Sequence, residues 1–150
     1  MKVEYRAFAV GIGALTLAVV ASGAQAATTV KVELQDPSTG PAIKGMQMTP
    51  DRTSAPAGQV TFQVHNASTS LVHEMIVVKT DAPPSALPYD KKKDEVEEDK
   101  IKSLGEVSEL PPGKSGSLTL DLKPGAYLLF CNQPGHLQGG MQARFEVTAQ

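Results

Sequence analysis

The stretch that decides the fold covers residues 127–141 and reads Tyr127-Leu-Leu-Phe-Cys131-Asn-Gln-Pro-Gly-His136-Leu-Gln-Gly-Gly-Met141. It contains the only cysteine of the chain, and a histidine and a methionine follow that cysteine at equal intervals. Residues 126–130 are apolar and aromatic enough for a strand, whereas the proline and glycines after Cys131 predict a loop before a second strand over 142–147. We therefore expect Cys131 at the end of a strand, with the loop folding back over it.

The spaced side chains of this loop are potential metal ligands. A thiolate, an imidazole and a thioether form a soft, mixed ligand set. One more histidine would complete the site of a blue copper protein, which has two histidines, one cysteine and a weak axial methionine. Two histidines upstream, His65 and His73, could fill that position. His65 continues a strand, whereas His73 stands between a polar loop and an apolar strand.

The motifs resemble those of the cupredoxin family of small blue-copper proteins. The likeness rests on the loop Cys131-x4-His136-x4-Met141, on its Cys-x-x-Pro-Gly-His core and on the upstream pair Asn66-x6-His73. The loop spacing is most similar to that of rusticyanin and auracyanin. The resemblance implies one copper ion, cycling between Cu(I) and Cu(II), with His73, Cys131, His136 and Met141 as its ligands. His65 remains the alternative to His73. If it is not a ligand, we expect it to be an ordinary surface histidine.

The resemblance also carries expectations for the surroundings of the site. Many members of the family have Asn directly after the first histidine ligand, where this chain has Glu74. We expect the backbone N–H groups of Glu74 and Gln133 to donate to the sulfur of Cys131. Asn66 is expected either to tie the two ligand-bearing loops together or only to form a turn. An exposed apolar patch that includes Leu137 is expected around His136.

The rest of the chain predicts an all-β fold. Alternating apolar residues over 28–34, 59–64 and 115–122, separated by Pro/Gly turns, predict a Greek-key β-sandwich of seven to eight strands. The highly charged stretch 89–102 is interpreted as a short helix or flap between strands. Such a stretch is usually only solvated, although it could also dock a redox partner. Met46 and Met48 alternate on a strand and are interpreted as core residues, with a Cu(I) site as the alternative.

The N-terminus predicts export. Residues 1–26 have a basic start, a short apolar run and an Ala-Gln-Ala end, which is typical of a signal peptide cleaved after Ala26. The mature chain, 27–150, would be one cupredoxin-like domain in the periplasm or outside the cell, without stable membrane insertion. Cleavage removes two basic residues and one acidic residue, which leaves a formal charge of −3. That charge does not favour nucleic acid as a partner.

These features favour a soluble one-electron carrier over an enzyme. Copper enzymes need further histidine-rich copper sites, and a chain with three histidines in total cannot build them. A redox partner protein of unknown identity is implied, and the carrier is expected to be a monomer. The alternative is a protein that delivers or sequesters copper outside the cytoplasm with the same ligands.

Overall fold

Strands dominate the computed structural model, which describes residues 27–149. The proposed signal peptide lies outside the described residues. Eleven strands occur within the described part of the chain, together with three single-turn 3-10 helices at Pro37–Thr39, Pro84–Ala86 and Glu98–Lys100. The strands are β1 Thr28–Gln35, β2 Gln47–Pro50, β3 Ser54–Pro56, β4 Gly58–Asn66, β5 His73–Lys79, β6 Tyr89–Asp90, β7 Glu95–Val96, β8 Ser103–Leu110, β9 Ser115–Leu122, β10 Gly125–Phe130 and β11 Gln142–Thr148.

Two sheets form the sandwich that the sequence predicts. One has the order β2-β1-β4-β9 and the other the order β3-β11-β10-β5-β8, while β6 and β7 form a separate hairpin. The pairs β1–β4 and β3–β11 are parallel, and the other pairs are antiparallel. The all-β prediction is confirmed. The short β3 and the β6–β7 hairpin are additions that no apolar alternation in the sequence indicates.

The main core lies between the two sheets. Strand β4 alternates with Val60, Phe62 and Val64 inside, as the pattern of the sequence requires. Phe62 packs edge-on against Phe145 of the opposite sheet, with 5.4 Å between ring centroids. Met48 is 5% exposed in this core, and Met46 packs against it half-buried. Both methionines therefore serve packing, as the favoured interpretation predicts.

A second apolar cluster covers the outer face of the five-stranded sheet. In β5 six successive residues are buried, so this strand contacts protein on both faces. The outward side chains of β5 and β10 pack beneath residues 80–102, which we call the flap. The cluster consists of Ile76, Val78, Val96, Leu128, Phe130 and Leu137, with Leu87, Tyr89 and Ile101 at its edge. The charged stretch is thus a flap whose apolar residues face the sheet and whose charges face solvent.

No helix in residues 27–149 is long and apolar enough to cross a membrane.

Candidate metal centre

The strand periodicity brings the predicted ligands to one face. In β10 the side chains of Tyr127 and Leu129 point into the sandwich core, and Cys131 continues that series directly after the strand. His73 begins β5, which pairs with β10, and it shares the inner face with Met75 and Val77. Cys131 and His73 are both 0% exposed. A thiol and an imidazole are thus buried side by side at one end of the sandwich.

His136 completes a group of three ligand atoms. The two histidine ring nitrogens and the sulfur of Cys131 all lie within 4.8 Å of one another. Nδ1 of His73 is 3.1 Å from Nδ1 of His136, and Nδ1 of His136 is 3.5 Å from Sγ of Cys131. Among the described residues this is the one group of three or more histidine, cysteine or acidic side chains placed to share a metal ion.

Met141 closes the loop at the same place. Its backbone N–H donates to the carbonyl of His136 at 2.9 Å, and its carbonyl accepts the N–H of Cys131 at 3.1 Å. The side chain is 0% exposed and belongs to the same apolar cluster as Cys131. The loop between them is wound into tight turns, and Gly135 has φ +79°, a conformation that favours glycine. The backbone therefore fixes Met141 next to the cysteine at the end of the sheet.

The environment of the thiol suits a metal thiolate. Burial raises the pKa of Cys131 to about 12, although hydrogen bonds from the backbone of Gln133 and Glu74 act in the opposite direction. The two N–H donors expected from the sequence are therefore present. A buried thiolate would not form at neutral pH without a nearby cation, because burial disfavours the charged form. The two N–H donors would therefore stabilise a thiolate if a metal ion were bound in place of the thiol proton.

The two imidazoles are also arranged so that they could share a metal ion. Nε2 of His73 lies 2.9 Å from the carboxylate of Asp36, which only accepts, so Nε2 carries the proton. Nδ1 of His73 therefore faces Nδ1 of His136. His73 thus presents a lone pair 3.1 Å from Nδ1 of His136, which can donate to it as an N–H or, without that proton, share a metal ion with it. Burial and the neighbouring His73 lower the pKa of His136, which favours its neutral, ligating form. The donor set therefore fits a soft metal ion.

Glu74 and Asn132 join the two ligand-bearing segments on the opposite face. Each follows a predicted ligand directly, so both point outward toward the flap. Oε1 of Glu74 accepts the backbone N–H of Asn132 at 3.0 Å. Burial raises the pKa of Glu74 to about 7; the Asn132 N–H opposes this shift, while the nearby carboxylates of Glu98, Glu106 and Glu109 add to it. Glu74, and not Asn66, therefore connects the two ligand-bearing loops.

Asn66 has a different role. Its side-chain amide donates to the carbonyls of Leu71 and Leu110, at 2.9 and 2.7 Å, and its oxygen accepts the N–H of Ser68 at 3.0 Å. These bonds shape the polar loop before His73 and attach it to the end of β8. The prediction that Asn66 ties the two ligand loops together is wrong, and its turn-forming alternative is confirmed. Which strand ends meet depends on sheet register, which the sequence did not specify.

The flap also contacts the ligand loop. The N–H of Gly135 donates to the carbonyl of Asp94 at 2.8 Å. The side chain of Asn132 accepts the N–H of Val96 at 2.6 Å and donates to its carbonyl at 3.0 Å and to Glu98 at 2.8 Å. Sequence reasoning missed Asn132, because a polar residue beside a cysteine gives no sign of a partner 36 residues away.

The surroundings of His136 differ from the expected patch. Leu137 is 6% exposed and packs under the flap with Ile76 and Phe130, so the prediction that it lies on the surface is wrong. His136 itself is 9% exposed, which makes it the most accessible of the four predicted ligands.

His65 lies apart from the four predicted ligands. Its side chain is 42% exposed and pairs with Glu33 at 2.9 Å on the outer face of the four-stranded sheet.

Comparisons with known proteins agree with this geometry. The family model for the cupredoxin-like domain matches residues 7–141. The chain belongs to the cupredoxin-like family. Direct comparison with curated proteins gave no match. The likeness to rusticyanin and auracyanin noted in the loop is confirmed at the level of the fold.

Three solved structures illustrate that likeness. Reduced auracyanin from Roseiflexus castenholzii is 23% identical to this cupredoxin, with a TM-score of 0.59 over 83% of this chain and 99% of that one. Auracyanin A from Chloroflexus aurantiacus, described as a "blue" copper protein, is 21% identical, with a TM-score of 0.55 over 82% and 100%. Rusticyanin from Thiobacillus ferrooxidans is 19% identical, with a TM-score of 0.57 over 82% and 79%.

Proposed function

We propose that this cupredoxin is an exported one-electron carrier that binds one copper ion through His73, Cys131, His136 and Met141. The observation that carries the proposal is the meeting of one thiol and two imidazole nitrogens within 4.8 Å, at the buried end of the sandwich where Met141 re-enters the sheet. Copper in such a site would supply one-electron exchange between Cu(I) and Cu(II), because this ligand set suits both oxidation states. His73 and His136 would offer Nδ1, Cys131 its thiolate and Met141 its thioether sulfur.

The protein's own contribution is to hold these groups in place. Cys131 is fixed by backbone hydrogen bonds from Gln133 and Glu74, and by its own N–H bond to Met141. The ring of His73 is fixed by Asp36. A site held from several strands changes shape little between oxidation states, which lowers the cost of electron transfer. His136, with its 9% exposure, is the natural route for the electron to a partner protein.

The remaining features fit an exported, non-enzymatic carrier. Residues 1–26 have the composition of a signal peptide, which supports a periplasmic or secreted mature chain, 27–150. Two of the three histidines meet at the centre, and the third pairs with Glu33 on the surface. The chain therefore has no histidines left for the additional copper sites of an oxidase or reductase. We propose a monomer that meets a redox partner protein transiently.

Copper delivery is the competing function, and burial argues against it. A delivery protein must expose its ligands so that an acceptor can displace them, yet three of the four proposed ligands are 0% exposed. Repeated chemical reduction and reoxidation in the presence of a soluble Cu(I) chelator separates the two functions. A carrier keeps its copper and recovers its visible absorption in every cycle. Loss of copper to the chelator at the first reduction would contradict the carrier and support delivery.

A further inference from the structure

A carboxylate lies buried beside the metal centre without contributing to the predicted ligand set. Asp36 is 1% exposed, and its Oδ2 is 2.9 Å from Nε2 of His73, which is 0% exposed. It precedes the 3-10 turn Pro37–Thr39, and its Oδ1 accepts the N–H of Ser38 at 2.7 Å. The two carboxylate oxygens therefore have separate partners. One caps the turn, and the other receives the proton of a proposed metal ligand.

The carboxylate is anchored from two segments. Ser38 and Ser68 hydrogen-bond to each other through their hydroxyls at 3.1 Å, and both also stabilise Asp36. The hydroxyl of Ser68 in turn accepts the N–H groups of Ser70 and Leu71, which lead directly into β5. The same polar group thus connects the segment after β1 with the loop that carries His73. The carboxylate cannot rotate without breaking its bonds to the two serines, and the imidazole cannot rotate without breaking its bond to the carboxylate.

The orientation of His73 follows from this contact. Because a carboxylate oxygen only accepts, the ring must donate through Nε2, which leaves Nδ1 as the nitrogen that faces His136 and Cys131. A histidine ligand whose second nitrogen donates to a carboxylate is a stronger donor to its metal than one without that partner. The carboxylate also adds a negative charge near the centre, in surroundings where charge is poorly screened.

We propose that Asp36 is a positioning residue of the metal centre, which holds His73 as the Nδ1 ligand and lowers the reduction potential of the bound copper. This inference rests on the proposed function. Counted over the copper, the Cys131 thiolate and Asp36 alone, the charges would sum to zero with Cu(II) and to −1 with Cu(I). A buried net charge is unfavourable, so Asp36 favours the oxidised form. A residue that only capped the turn would affect folding but neither the tautomer of His73 nor the potential.

The chain provides a matched control for this contact. The His65–Glu33 pair has the same 2.9 Å separation, but both side chains are more than 40% exposed and lie away from the centre. Asp36→Asn keeps the shape of the side chain. It loses one acceptor, because an amide cannot accept from both Ser38 and His73, and it removes the charge. Glu33→Gln makes the same chemical change to the surface pair.

The test measures zinc affinity, copper potential and the protonation of His73 in the full mature chain. For Asp36→Asn we expect the Zn(II) affinity to fall about 10- to 100-fold. We also expect the copper midpoint potential to rise, by about 59 mV if Cu(II) affinity falls tenfold more than Cu(I) affinity. Glu33→Gln should change neither. Unchanged zinc affinity and unchanged potential in a folded Asp36→Asn protein would overturn the inference.

If Asp36→Asn does not fold, the position of the proton on His73 can be measured in the wild-type protein instead. Nitrogen NMR of the zinc-loaded protein should show His73 protonated at Nε2, with slow exchange of that proton with solvent. A His73 protonated at Nδ1 would overturn the role of Asp36. Failure of the proposed function is recognised separately: a wild-type protein that binds zinc with this tautomer but gives no blue colour with copper would refute the carrier and its potential, while Asp36 would still be the residue that positions His73.

Discussion

Replacing Asn132 by alanine should release the flap from the metal centre. Val96 is 3% exposed, and its N–H and C=O point away from β6 toward the side-chain amide of Asn132. The side-chain amide of Asn132 therefore pairs with both backbone groups of Val96, as the backbone of a neighbouring strand would. Glu98, the third partner, is at the surface and can bind water instead. The cost of the substitution thus comes mainly from the two backbone groups of Val96.

The size of the effect follows from those two groups. A buried polar group left without a partner costs about 1 to 3 kcal/mol. Allowing for water that enters the vacated space, Asn132→Ala should cost about 3 kcal/mol in total. Since 1.4 kcal/mol corresponds to a factor of ten, the open form of the flap should become about 100-fold more populated.

Hydrogen exchange of the Gly135 amide measures that population, because this N–H donates to the carbonyl of Asp94 in the flap and makes no bond to Asn132. We expect its exchange to accelerate about 100-fold in Asn132→Ala, while amides in the inner strand β4 change less. Gln138→Ala is the control, because Gln138 is exposed in the same loop and its truncation should alter stability by less than about 0.5 kcal/mol. Exchange at Gly135 that is as slow in Asn132→Ala as in the wild type would refute the view that the Asn132 side chain holds the flap.

Three further substitutions test other parts of the account. Gln133→Pro removes one N–H donor to the sulfur of Cys131 and should lower the copper potential by on the order of 40 mV, the equivalent of a hydrogen bond of about 1 kcal/mol. Gln133→Ala keeps the donor and should leave the potential unchanged; a rise in Gln133→Pro would contradict the two-donor description. Leu137→Ala should lower the free energy of unfolding by about 2 to 5 kcal/mol, because Leu137 is buried under the flap. The partly exposed Leu104, truncated in the same way, should cost less than about 1 kcal/mol, and equal effects in denaturant titrations would show that Leu137 is not in the core. His73→Ala should abolish the visible absorption of the copper protein and His65→Ala should preserve it, since His65 pairs with Glu33 on the surface; the reverse pattern would identify His65 as the ligand.

The strands and the ligand loop could be predicted because both are local signals. Alternation over 59–64 and 115–122 reports which face of a strand is buried, and the structure forms β4 and β9 there. The equal spacing of Cys131, His136 and Met141 reflects the length of a loop that folds back on itself. A local signal also distinguishes His73 from His65, since His73 stands between a polar loop and an apolar strand.

The contacts that could not be predicted from the sequence all join segments that lie far apart along the chain. Asp36 and His73 are 37 residues apart, and nothing near Asp36 distinguishes it from an ordinary helix cap. Glu74 meets Asn132 only because of the register of β5 against β10. The burial of Leu137 could not be predicted either, because the segment that covers it is mostly charged and gives no sign of an apolar face. Only four residues of the flap pack in the outer apolar cluster, which is too few to give a recognisable alternation of apolar residues in the sequence.

Titration of the metal-free mature protein with Cu(II), followed by visible absorption, measures whether Cys131 and its neighbours bind a single copper ion. We expect an intense charge-transfer band that grows until one copper per chain has been added and then stays constant. Cys131→Ala, which lacks the thiolate, should give no such band under the same conditions. Absence of the band in the wild type, or an equally intense band in Cys131→Ala, would contradict copper binding at Cys131.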